Sequence, residues 1–201
     1  MSIRWDLCGA ILTTAVLIGC SSTRFVSSWK APGAELRVRG SKVVAVAMIE
    51  SDTARRVAED KMARELTARG AVGVPMYEIL PGAGGASGEL ARFALEDAGV
   101  DGVVVMRPVP MDREIVTRSS VYEGPRYGGY WNGYYEFGWS HPGEAGPRNV
   151  VWVETLVYSL EDNKLVWVGQ SRTMNPGTVD QLATELAAAA GDQLEQLELI
   201  Q

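Results

Sequence analysis

Two periods of apolar spacing divide the chain. Lys42 to Ile49 is a near-continuous apolar run, Val43-Val44-Ala45-Val46-Ala47-Met48-Ile49, which predicts a strand buried on both faces. Ser51 and Asp52 follow with N-cap chemistry. From Thr53 to Arg69 the period becomes helical. Ala54, Val57, Ala58, Met62 and Leu66 fall on one side, and Arg55, Arg56, Glu59, Asp60, Lys61 and Glu65 lie largely outside that stripe. Gly70 is placed to end this helix, and a short strand is expected around Val72 to Met76. Gly88 to Ala98 predicts a second helix, closed by Gly99, and Gly102 to Met106 the next strand. Val150 to Leu160 and Leu165 to Arg172 are β-rich runs joined by Glu161-Asp162-Asn163-Lys164, a turn composition that predicts an antiparallel hairpin. Thr178 can cap a last helix reaching Ile200, striped by Val179, Leu182, Leu186, Ala190, Leu194 and Leu197.

Leu66, Gly70, Gly73 and Val74 repeat the spacing of Leu95, Gly99, Gly102 and Val103. The repeat predicts two equivalent helix-to-strand returns in a β-α-β-α-β run, with parallel strands joined by right-handed crossovers. The fold class expected is α/β, with α+β character at the C-terminal end. It is a single mixed sheet in the order β-α-β-α-β-β-β-α with helices packed on it. Its core should centre on Val44, Val46, Leu66, Leu95, Val104, Val153 and Val168. The domain is expected to span residues 42–201 and to fold without what precedes it.

What precedes it reads as an address. Residues 1–19 carry one basic residue near their start, Arg4, and run through an apolar stretch from Leu7 to Ile18. That stretch is too short for a comfortable membrane-spanning helix, which needs about 20 apolar residues, and has the length of a secretory signal core. It ends Leu17-Ile18-Gly19-Cys20, which resembles the lipobox of bacterial lipoproteins, where the cysteine is acylated and becomes the new N-terminus. The resemblance implies cleavage before Cys20 and anchoring to a membrane through lipid on that residue. Two or more acyl chains anchor stably where one does not. Ser21 and Ser22 follow, without the Asp that tends to retain such proteins in the inner membrane. This pattern implies the periplasmic face of the outer membrane. Residues 20–41 read as a tether, in which Trp29 is expected to dock on the domain as an edge segment.

Charge and cysteine usage narrow the rest. The net charge is −6 and is unchanged by loss of Arg4 and Asp6 with the signal. This argues against a nucleic-acid partner, which usually needs a basic face. Cys8 leaves with the signal and Cys20 carries lipid, so the domain has neither disulfide nor free thiol and must be held by packing.

Residues 119–148 form a Gly/Tyr-rich insertion carrying Tyr122, Tyr127, Tyr130, Trp131, Tyr134, Tyr135, Phe137 and Trp139, followed by the only histidine, His141. These rings are the candidate interaction residues, since Tyr and Trp are amphipathic anchors at interfaces and on sugar faces. The strands on either side can supply a complete core without them. The competing reading is that they cover a bare sheet edge.

The element order behind a lipobox resembles the α/β module of the TolB N-terminal domain and of curli-secretion lipoproteins. It is closer to a group of envelope lipoproteins that carry Trp-Lys-x-Pro (here Trp29 to Pro32) and Ala-Glu-Asp (here Ala58 to Asp60). That group also carries Gly-x-x-Gly-Val-Pro (here Gly70 to Pro75) and an aromatic Gly/Tyr loop (here Tyr122 to Trp139). No β-propeller follows, as one does in TolB.

Catalytic chemistry finds little support. Gly82 to Gly88 precedes a helix but lacks the Lys-Ser/Thr of a P-loop and reads as a flexible connection. His141 has no nucleophile oriented beside it in any motif, and one His without Cys makes a poor zinc site. Glu161 and Asp162 read as turn residues, not as an acid pair or calcium loop. The expectation is a non-enzymatic module without cofactor or metal, presenting a surface to an envelope protein or glycan. The alternative is a small-ligand-binding lipoprotein with a pocket between the aromatic loop and the hairpin.

Overall fold

In a computed structural model of the protein, residues 23–33, 39–82, 86–109, 131, 135 and 150–199 are described. The strands are β1 (Thr23–Lys30), β2 (Lys42–Ala47), β3 (Val72–Pro75), β4 (Gly102–Val109), β5 (Val150–Ser159) and β6 (Lys164–Met174). The helices are α1 (Asp52–Ala68), the single turn α2 (Met76–Ile79), α3 (Gly88–Asp97) and α4 (Val179–Gln196). One six-stranded mixed sheet has the order β1-β6-β5-β4-β2-β3. β2 runs parallel to β3 and β4, and the other pairs are antiparallel.

The apolar run after Lys42 is buried throughout, as a strand covered on both faces requires. Val43, Ala45 and Ala47 point to one face, where Met62 and Leu66 of α1 and Leu186 and Ala190 of α4 meet them. Val44, Val46 and Met48 point to the other, against Ala91 and Leu95 of α3. The sheet is therefore the middle of three layers. All seven residues expected at the centre of the core are buried.

The two glycine returns are equivalent in atomic detail. Gly70 and Gly99 both take positive φ, 96° and 65°. The amide after each donates to the leucine carbonyl five residues back, Ala71 to Leu66 at 3.1 Å and Val100 to Leu95 at 3.0 Å. These are the 6→1 bonds of a Schellman cap. α4 ends the same way, with Leu199 donating to the Leu194 carbonyl at 2.9 Å, but there the left-handed position is Glu198, at φ 55°.

Two expectations are corrected. Thr23–Lys30, read as tether, is an edge strand of the sheet. A bulge at Val26 lets Phe25 reach Trp167 on the α1/α4 face, ring centroids 5.4 Å apart, while Trp29 packs on the α3 face. A domain cut at Lys42 would thus lose a strand and bare the edge of β6. Second, Trp131 and Tyr135, named among the candidate interaction residues, are fully buried and helical in conformation. They lie 5.1 Å apart by ring centroid, and Trp131 meets the Tyr158 ring edge-on at 5.8 Å. The reason is area. Leu156, Tyr158, Leu165 and Val168 present large side chains on the α3 face, and these two rings share the work of covering them.

Trp131→Ala should lower the unfolding free energy by about 3–5 kcal/mol in urea titration; a change near zero would place the ring outside the core. Glu198→Gly should raise it by about 1 kcal/mol, because glycine adopts the left-handed cap without a Cβ penalty.

Candidate functional site

In open α/β sheets, ligands bind outside the carboxyl ends of the parallel strands, where the strand order reverses. Here β2 leads through α1 to β3 on one side, and β3 returns through α3 to β4 on the other. The reversal therefore falls between β2 and β4. Around that end lie Glu59, Asp60, Asp52, Arg55, Arg56 and Tyr77 beside β2 and β3, and Arg107, Glu154, Gln170, Trp152 and Arg172 on β4, β5 and β6.

Glu59 is fully buried on α1. Its Oε1 accepts from the Ala47 amide at 3.2 Å and its Oε2 from the Tyr77 amide at 3.1 Å. One carboxylate thus ties the end of β2 to the start of α2, just beyond β3. Burial pushes its pKa up from 4.5 to about 7; the two amide donors and Arg55 pull it down but are outweighed. The neighbouring Asp60 accepts from the Tyr77 hydroxyl at 2.7 Å, and the Arg56 guanidinium lies 4.9 Å over the Tyr77 ring. With that bond first among the causes, the phenol is pushed up to about 12.

The N-terminus of α1 is served from within the chain. The Ser51 hydroxyl accepts from the Ala54 amide at 3.4 Å. Asp52, in the first turn, is held by Arg55 and Arg56, whose hydrogen bonds keep its carboxyl below the usual range.

On the α3 face, Arg107 and Glu154 are directly opposite partners in the β4–β5 ladder, 2.9 Å apart and both buried. Gln170 faces Glu154 across the next ladder, and Arg172 lies 6.0 Å over the Trp152 ring, its own ladder partner. Removing either partner of the ion pair would leave a buried charge, whereas the pair itself adds little net stability. Among the described residues, no three His, Cys, Asp or Glu side chains come together as a metal ion would need. An open groove of about 550 Å³ runs between β1 and α4, lined by Arg24, Val26, Ser28, Asp192, Gln193 and Gln196 among others.

Cys20, Tyr122, Tyr127, Tyr130, Tyr134, Phe137, Trp139 and His141 lie outside the described residues. Of the aromatic candidates, Trp131 and Tyr135 are brought together, in the core. Ser87, at the end of the glycine loop, caps α3 through the Leu90 amide at 3.2 Å. Asp162 sits in the hairpin turn, its amide donating to Ser159 Oγ at 3.2 Å. The Trp-Lys-x-Pro piece has a structural role, in which Lys30 Nζ donates to the Leu197 carbonyl at 2.8 Å, at the C-terminal end of α4. Sequence reasoning missed Arg107–Glu154, although a signal was present. Each is a lone charge inside an otherwise apolar stretch of strand, and the two have opposite sign.

No protein-family model matches this chain, and no curated protein matches it. Among solved structures, it is similar to the PelC dodecamer from Paraburkholderia phytofirmans. One crystal form gives 17% identity over 89% of this chain and 98% of that one, and a point variant of the same protein gives 20% over 87% and 97%. The TM-score is 0.46 in both, a loose likeness that carries no argument about activity or assembly.

The raised pKa of Glu59 has a definite consequence for stability. The folded protein holds this proton more tightly than the unfolded chain does. The contribution is therefore fully present below pH 4.5 and falls away as pH rises to about 7. The loss is on the order of 3 kcal/mol. Urea titrations across that window should show wild type weakening and Glu59→Gln, which cannot ionise, losing that part of the slope. An unchanged slope in the variant would assign the titration elsewhere.

Proposed function

We propose that this chain is a lipid-anchored protein of the bacterial cell envelope whose α/β domain serves as an interaction module for a protein or glycan partner. The observation that carries this reading is the sequence Leu17-Ile18-Gly19-Cys20 at the end of a signal-like apolar stretch, three residues before β1 begins at Thr23. A lipobox followed at once by a folded domain is the arrangement of an anchored module. The TolB-like resemblance supports the same class, and the serines after Cys20 favour the outer membrane's periplasmic face.

The ionisable groups described near the strand ends support binding over catalysis. Glu59 and Asp60 hold α2 in place, Asp52 serves its own helix, and Arg107 and Glu154 serve each other. Trp131 and Tyr135 packed against Tyr158 favour a partner surface over a ligand pocket in that part of the α3 face. The aromatic residues still offered for contact are Tyr122, Tyr127, Tyr130, Tyr134, Phe137 and Trp139.

Cells fed an alkynyl fatty acid should label the wild-type protein and leave Cys20→Ala unlabelled and released from the membrane fraction. Equal labelling of the two would end the lipoprotein reading.

A further inference from the structure

We infer that the domain is held flush on the bilayer in one orientation, with the end of the sheet that carries Thr23 and Met174 facing the lipid. The inference rests on the reading of Cys20 as the acylated residue. Only Ser21 and Ser22 lie between Cys20 and Thr23, so covalent geometry limits the Cα separation of Cys20 and Thr23 to about 11 Å. A flexible linker running the whole of residues 20–41 would span about 25 Å on average and set no orientation.

Thr23 is a fixed point of the fold. It pairs with Thr173 in the β1–β6 ladder, their hydroxyl oxygens are 2.6 Å apart, and its own hydroxyl donates to Glu185 of α4 at 3.1 Å. Phe25, two residues on, is seated against Trp167. The lipid is therefore attached almost directly to a rigid corner of the sheet.

That corner defines a face. Val150, Met174 and the Asn175–Thr178 turn share the Thr23 end, as do the last residues of β4 and the start of α1. Met174 is 49% exposed there, an apolar side chain beside the acyl anchor. Two carboxylates nearby are paired within the protein, Asp52 with Arg55 and Arg56 and Asp180 with Lys61, which lowers their repulsion from lipid phosphates. The β5–β6 turn, with Glu161, lies at the opposite end, separated by the length of β6, about 33 Å. Trp131, against Tyr158 and so near that far end, is not part of the lipid-facing surface.

The test uses the full lipidated protein in vesicles of phosphatidylethanolamine and phosphatidylglycerol. The signal removes Cys8 and lipid occupies Cys20, so Met174→Cys and Glu161→Cys each give a single thiol for a fluorophore. Headgroup-nitroxide lipids should remove most of the fluorescence at position 174 and little at 161. A flexible Gly/Ser insertion between Ser22 and Thr23 should erase the contrast. Equal quenching at both positions in acylated wild type, or a contrast that survives the insertion, would overturn the inference while leaving the lipid anchor intact. Mass spectrometry of the same samples separates the two claims, because an unacylated Cys20 would overturn both.

Discussion

The structure depends on hiding both faces of β2. Val43 to Met48 are completely buried, and a strand in that position imposes a cover on each side of the sheet. α1 and α4 supply one cover, and α3 the start of the other. The mixed topology follows from this demand. Parallel neighbours need crossover helices, and successive crossovers on opposite faces give two covers from one run of chain. What they leave open, above β5 and β6 on the α3 face, is reached by Trp131 and Tyr135.

The polar groups inside this frame act mainly as braces between elements. Glu59 accepts from a strand amide beyond the β2–β3 ladder and from a first-turn amide of α2, which joins β2 to α2 without a further strand. Lys30 supplies a positive charge to the carbonyl end of α4, joining the first strand to the last helix. Arg69 bridges α1 to α4 through Asp192 and Glu195. The Ala-Glu-Asp and Trp-Lys-x-Pro pieces that carried the family resemblance thus belong to the architecture.

The β-α-β-α-β run was legible because period and punctuation agreed. The Val43–Ile49 run, the stripe of α1 and the glycines at 70 and 99 each pointed to the same elements. β1 was less legible because its bulge at Val26 breaks the alternation that marks a strand, and because Ser and Arg fill its outward positions. α2 is a single turn, too short to show a period. In the candidate site, burial of Trp131 and Tyr135 was hidden by their glycine-rich setting, which suggests a loop whether or not its rings turn inward. The role of Glu59 was hidden by helical spacing, since a charge off the apolar stripe reads as solvated until a strand end is found beside it.

The pairing of β1 with β6 also sets an order of events. Thr23 meets Thr173, 150 residues further along the chain, so β1 has no partner until β6 is available to it. Long-range pairing of this kind is slow and leaves an unpaired edge in the interim. Closure of the sheet at β1 therefore requires the β5–β6 hairpin to be in place.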